Sequence, residues 1–341
     1  MNKRKLKTGV SYFGNRNPRH FIKDVEDIAS HNCTFIVHTF SENDQKFYRE
    51  TLSEFVSLSK QHNLEVYVDP WGVGRVFGGE AESDFALKKR DTCQLFSTGE
   101  AAPACCINNP QFRDFMRSWI DEVVTIGGEV VFWDEPHFFI DWERRGSSAE
   151  RWTCWCMHCR EKYERKYGGT LPVELNREMV AFRQDAVIDF LTFLSEYAHS
   201  KGLRNALCLL PIKDHRYGLS DWSGAAAIPH LDIIGTDPYW LWFNKSVEEF
   251  VGGLSKEIAD LSSRFGKEGQ IWIQNYKIPG GREGEIREAI DIAFRQGIRN
   301  FAAWSYFGTA YMSYIKSDDP KLVWDTLGDA YGNLLTGKAV M

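Results

Sequence analysis

Two short stretches of this chain hold residues whose types and spacing can do chemistry. The first is Val130-Val131-Phe132-Trp133-Asp134-Glu135-Pro136-His137, an apolar run that stops on two adjacent carboxylates. Paired acids at the end of a buried strand are costly inside a core, so they belong at the mouth of a site, where a carboxyl shifted by its neighbour can carry a proton. The second is Cys154-x-Cys156-x-x-Cys159, three thiols in a polar segment. With one more thiol from elsewhere they match a closed, tetrahedral structural zinc site. Cys33, on the first helix, and Cys208, in the fifth strand, read as buried apolar thiols.

The elements that must position these groups alternate regularly. Strand-like segments run over 7–13, 34–40, 64–69, 130–134, 205–210, 231–235, 270–275 and 300–306, and a helical pattern follows each. Asn17-Pro18, Asn109-Pro110 and Asp319-Pro320 are helix starts, a polar cap followed by proline in the first turn. One helix is expected over 45–62, a long one over 173–200, and a capping box at Ser246 to Glu249. A loop from 70 to about 107 follows the third strand, and an insertion of about 141–169 follows the fourth. Eight βα units with no second run of strands predict a single α/β domain over 1–341, a (β/α)8 TIM barrel with a cysteine-rich insertion after strand four. The glycine-rich dinucleotide turn of a doubly wound sheet is missing after strand one.

Composition limits the partners. The chain has 341 residues, 41 Lys+Arg against 47 Asp+Glu, and a net charge of −6, which argues against nucleic acid. No apolar run reaches membrane-spanning length, and the basic start Met1–Lys5 is followed by polar Thr8 and Gly9, not by a signal-peptide core. A cytoplasmic protein with reduced or metal-bound cysteines is the expectation. It needs no organic cofactor, and a homo-oligomer remains open.

In a barrel the chemistry gathers at the carboxyl ends of the strands. Those ends offer His38, Asp69, Trp71, Asp134, Glu135, His137, Asp237, Tyr239, Trp240, Gln274 and Trp304. Carboxylates beside several aromatic faces suit a carbohydrate, whose C–H faces stack on rings while an acid protonates the glycosidic oxygen.

At this point the residues resemble a known group. Asp134-Glu135-Pro136 is similar to the Asn-Glu-Pro of the barrel glycoside hydrolases that place their acid/base on strand four, and Tyr239 and Trp304 extend the likeness. The resemblance implies Glu135 as general acid/base and Asp134 in the usual Asn position. The cysteine segment, followed by Tyr167-Gly168, resembles that of zinc-containing β-galactosidases. That likeness implies Cys106, with Cys154, Cys156 and Cys159, as the fourth ligand, Cys105 being the alternative.

The chain also departs from the group. Gln274 stands at or near the place of the strand-seven nucleophile, and a neutral amide cannot be one. Asp237, or Asp69, is then the second carboxylate, acting as base of an inverting reaction or as nucleophile of a retaining one. Alternatively, adjacent Asp134-Glu135 resembles the barrel hexosaminidases, in which the Asp orients the substrate's own acetamido group. Two other readings use the same residues: a divalent-metal sugar isomerase or epimerase, and a non-catalytic sugar-binding barrel. His38, His137, Trp71, Trp240, Gln274 and the remaining residues named above would contact the sugar.

Overall fold

The computed structural model describes residues 6–141 and 151–338. Met1–Lys5 and residues 142–150 of the insertion lie outside the described residues. Eight parallel strands close into a barrel: β1 Lys7–Tyr12, β2 Phe35–Thr39, β3 Glu65–Asp69, β4 Val130–Asp134, β5 Arg204–Leu209, β6 Ile233–Thr236, β7 Glu268–Gln274 and β8 Asn300–Trp304. Each pairs with its neighbours in chain order, and β8 closes on β1 through Lys7↔Asn300 to Val10↔Ala303. The helices Pro18–Ser30, Arg49–Gln61, Pro110–Ile126, Arg177–Ser200, Trp222–Ala226, Val247–Phe265, Gly284–Arg295 and Pro320–Thr336 follow the strands in turn. This is the (β/α)8 barrel expected from the alternation.

The predicted helix starts hold for a local reason. The side chains of Asn17, Asn109 and Asp319 accept backbone N–H groups of the first turn while proline occupies the first helical position, and Ser246 Oγ accepts Glu249 N. The segment expected as one helix over 45–62 is two, Glu42–Phe47 and Arg49–Gln61, broken at Tyr48. Ser41 starts the earlier piece with a capping box to Asp44, a signal upstream of the expected start. Cys33 follows the first helix instead of lying on it, but it is buried, as is Cys208.

Two layers share the core. Side chains of one parity along the strands, among them Phe35, Val37, Tyr67, Val130, Phe132, Ala206, Ile233, Trp272 and Ala302, fill the barrel interior. Those of the other parity pack outward against the helices.

The segment expected as a loop to about Ile107 carries structure of its own. It contains a short helix, Asp84–Lys88, and a hairpin of Cys93–Leu95 with Ala101–Cys105. Its first part is clasped by Glu42. This buried carboxylate accepts Gly74 N at 2.9 Å, Ser83 Oγ at 2.6 Å and Phe85 N at 2.6 Å. The hairpin is tied to the insertion after β4 by Gln94. Its amide donates to Cys105 O and accepts from Phe139 N and Thr153 Oγ1.

Removing Glu42 leaves two backbone donors and a hydroxyl without acceptors in a buried setting. Glu42→Ala is expected to cost roughly 2–4 kcal/mol in denaturant unfolding, and limited proteolysis should cut first within 72–92.

Candidate active site

The carboxyl ends of the strands surround a cavity of about 510 Å³. Ser11 from β1, Asp69 from β3, Phe132 and Asp134 from β4, Trp272 from β7 and Trp304 from β8 reach it from the inward parity of their strands. Glu135 is one residue past β4, where continued alternation would turn it outward. Its φ of 40° bends the chain at that point, and its carboxyl joins the cavity beside that of Asp134. Such a backbone position is uncommon for a residue with a side chain and marks functional sites.

Asp69, Asp134, Glu135 and Asp237 therefore converge. Glu135 and Asp237 line the same cavity, close enough for their carboxyls to share a hydrogen bond. Burial pushes Glu135 up to about 7, partly offset by that hydrogen bond. Burial, followed by the Glu135 charge and the interaction with its carboxyl, holds Asp237 well above the usual carboxylate range. Asp69 is raised by burial and then by the charges of Asp134 and Glu135. Asp134 is raised by burial and then by Glu135 and Glu80.

Aromatic rings line the rest. Phe132 and Trp272 lie 4.8 Å apart between centroids in the barrel interior and form the floor. Trp71 and Trp304 stack at 4.7 Å and 18° along one side, with Phe13 4.7 Å from Trp304. Tyr239 meets Tyr276 edge-on at 5.2 Å on another.

The loop after β3 completes the rim. Gly78 N donates to Asp134 O at 3.0 Å, and a Cβ on Gly78 would stand 2.2 Å from Asp134 Oδ2. Gly79, at φ 109°, lies flat against the Trp71 ring. Only glycine permits this approach, and it delivers Glu80 to the cavity.

Of the residues expected at the site, Asp69, Trp71, Asp134, Glu135, Asp237, Tyr239 and Trp304 line the cavity. Four others do not. His38 is on the outward parity of β2, buried against Tyr12, Phe21 and Phe55 with Nε2 on Ser59 Oγ, and burial lowers its pKa to about 3. His137 turns back on its own strand end, its Nδ1 2.6 Å from Glu135 O. Trp240 is fully buried, and its Nε1 donates to Glu285. Gln274 spends its amide on backbone, accepting Leu241 N and donating to Tyr276 O, so it shapes the wall instead of meeting a ligand.

Sequence reasoning missed Phe132, Trp272, Tyr276 and Glu80. Phe132 shares the parity of Asp134, and Trp272 lies two residues before Gln274, so period-two counting would have found both. Glu80 carries no such signal.

A second cluster lies away from the mouth. The sulfurs of Cys106, Cys154, Cys156 and Cys159 are all buried and within 4.8 Å of one another, and the group could hold a metal ion. Cys106 Sγ is 3.4 Å from Cys156 Sγ and 3.5 Å from Cys159 Sγ, far beyond disulfide length. Asn108 donates its backbone N–H to Cys106 and its side-chain amide to Cys159. Hydrogen bonds from the other thiols, Cys106 first, hold Cys156 far below the usual thiol range. Cys105 points away, onto Thr92.

The fold is a TIM barrel, an architecture this chain shares with mannanases and sugar epimerases. The chain is similar in structure to an endo-1,4-β-mannanase from Rhizomucor miehei, with 12% identity, a TM-score of 0.62, and 98% of this chain and 96% of that one covered. An endo-β-1,4-mannanase from Thermotoga petrophila matches at 11% identity and a TM-score of 0.61 over 100% of this chain and 79% of that one. A D-allulose 3-epimerase from Methylomonas sp. matches at 11% identity and a TM-score of 0.52 over 97% and 98%. No protein-family model and no curated protein matches the sequence. Among the described residues no helix is long and apolar enough to cross a membrane.

The raised carboxyls carry a sign for stability. A carboxyl whose folded pKa lies above its unfolded value stabilises the fold below the unfolded pKa and loses that contribution as pH rises through the folded one. Glu135→Gln should therefore raise Tm at pH 8 relative to wild type, and by much less at pH 4, in parallel thermal scans.

Proposed function

We propose that the protein is a glycoside hydrolase that works by a two-carboxylate, retaining course. The observation that carries this reading is that Glu135 and Asp237 line one aromatic cavity close enough to feel each other electrostatically. Retaining enzymes hold their two carboxyls about 5–5.5 Å apart, whereas inverting ones leave about 6.5–9.5 Å for a water. Two carboxyls close enough to interact are nearer the shorter of these spacings. Glu135 is the acid/base and Asp237 the nucleophile, which removes the need for a carboxylate at Gln274. As positive charge develops at the anomeric carbon, Asp237 is stabilised as the anion. Asp237 forms a bond to that carbon as the bond to the leaving oxygen breaks and Glu135 gives that oxygen its proton, and Glu135 then takes a proton from the water that hydrolyses the glycosyl-enzyme. Trp71, Trp304 and Tyr239 offer ring faces and a hydroxyl to the sugar.

The metal-dependent isomerase reading has less support. Among the described residues, the group of three or more His, Cys, Asp or Glu placed to hold a metal ion is the thiol cluster and not the acids of the mouth, and the two candidate histidines lie outside the cavity.

The thiol cluster suits structural zinc. Four sulfurs at about 2.3 Å from a zinc ion are separated by about 3.8 Å along a tetrahedral edge, near the 3.4 and 3.5 Å seen here. Zinc there would join the hairpin after β3 to the insertion after β4.

Hydrolysis of a panel of aryl and alkyl glycosides tests the first proposal. Asp237→Asn should abolish turnover throughout, whereas Glu135→Gln should lose roughly a hundredfold or more on alkyl leaving groups and far less on dinitrophenyl ones. The reverse pattern would exchange the two roles, and turnover untouched by both variants would sink the reading. For the cluster, metal analysis of purified protein should find one zinc per chain, absent in Cys156→Ser together with a lower Tm.

A further inference from the structure

The cavity that would act on a glycoside is unbalanced in charge. Among the described residues, nineteen line it, of which five are acids, Asp69, Glu80, Asp134, Glu135 and Asp237, and none is Lys, Arg or His. Nine of the nineteen are aromatic. The nearest cations face elsewhere. Arg75 lies beside Glu80 and pairs with Glu82, and Lys277 lies under the Trp242 and Tyr314 rings at the rim, its Nζ 4.9 and 3.9 Å from their centroids.

A neutral sugar needs one acid and one nucleophile, a demand the Glu135–Asp237 pair already meets. Asp69 and Asp134 remain in the same lining, close enough for Asp69 to feel the charge of Asp134. Asp69 is 2% exposed and Asp237 5% exposed, and the Oδ1 atom of each has no hydrogen-bond donor among the described residues. A buried carboxylate oxygen without a donor costs free energy until something supplies one. Backbone and side chains supply none, although the loop at Gly78 is packed directly on the carboxyl of Asp134. The donor that fits carries positive charge. An ammonium group gives up to three N–H bonds to carboxylates, and aromatic faces attract the same charge.

We propose that the cavity selects a cationic sugar, an amino-sugar glycoside whose ammonium pairs with Asp69 and Asp134 while Glu135 and Asp237 act on the glycosidic bond. That the sugar is bound as a glycoside rests on the hydrolase reading, but the charge preference stands on the cavity alone. An N-acetylated sugar loses the ammonium and gains bulk, so it is the disfavoured counterpart.

The experiment separates binding from turnover. Calorimetry at pH 6.5 with wild-type protein measures methyl glycosides of 2-amino-2-deoxyglucose and 2-amino-2-deoxygalactose against their N-acetyl and 2-hydroxy counterparts, with and without EDTA. At least one amino sugar should bind about tenfold or more tightly than both counterparts, the size of a single desolvated charge contact, and added salt should weaken it. Asp69→Asn should collapse that preference, and Asp134→Asn provides a second test should the first variant misfold. Equal or tighter binding of the neutral sugars overturns the proposal, as does a preference that disappears in EDTA, which would make the cation a metal. If amino sugars bind selectively but their nitrophenyl glycosides are not cleaved, the hydrolase reading fails and the charge preference stands. If neutral glycosides are cleaved without any amino-sugar preference, the charge preference fails and the hydrolase reading stands.

Discussion

Glu135 and Asp237 meet although β5 lies between their strands, and the rest of the mouth is arranged around that contact. Neighbouring strands are spaced about 4.8 Å apart, so β4 and β6 are separated by roughly twice that distance. The gap closes because both strands end there and the chain turns at Glu135, whose left-handed backbone swings its carboxyl toward Asp237. Two buried acids can share such a position only if a proton lies between them. Asp69 and Asp134 add two more carboxyls to the same enclosed space.

That arrangement needs support from outside the barrel. The segment after β3 crosses the mouth with Gly78 on Asp134 and Gly79 on Trp71, and it stays there because Glu42 accepts three of its hydrogen bonds. Its far end is fastened twice to the insertion after β4. Gln94 joins the hairpin to Phe139 and Thr153, and the thiol cluster joins Cys106 to Cys154, Cys156 and Cys159. The opposite end of the barrel is closed by ion pairs of Lys7 and Arg204 with Glu65 and Glu268, which suits a face that serves stability.

The aromatic lining and the acids offer one cavity two different kinds of contact. Ring faces give apolar contact and orientation, and charges give discrimination, because a group that fails to satisfy a buried carboxylate leaves it unpaired. Among the described residues the mouth combines acids and rings without a basic side chain.

Much of this was readable in one dimension. The alternation of apolar strands with capped, amphipathic helices determined the barrel, since eight βα units have few other ways to bury their strands. Asp134-Glu135 at a strand end and Cys-x-Cys-x-x-Cys in a polar segment announced both clusters, because each signal is local. Strand parity, had it been applied throughout, would have removed His38 and admitted Phe132 and Trp272. Other features depend on contacts between distant segments. The sequence does not show that Gln274 is consumed by Leu241 and Tyr276, that Trp240 turns to Glu285, or that a glycine pair carries Glu80 across the mouth. Nor does it show that Asp237, and not another acid, reaches Glu135. Local pattern decides which face of an element is buried, but where loops of thirty or more residues return, and which carboxyls they bring together, is decided only when the barrel has closed beneath them.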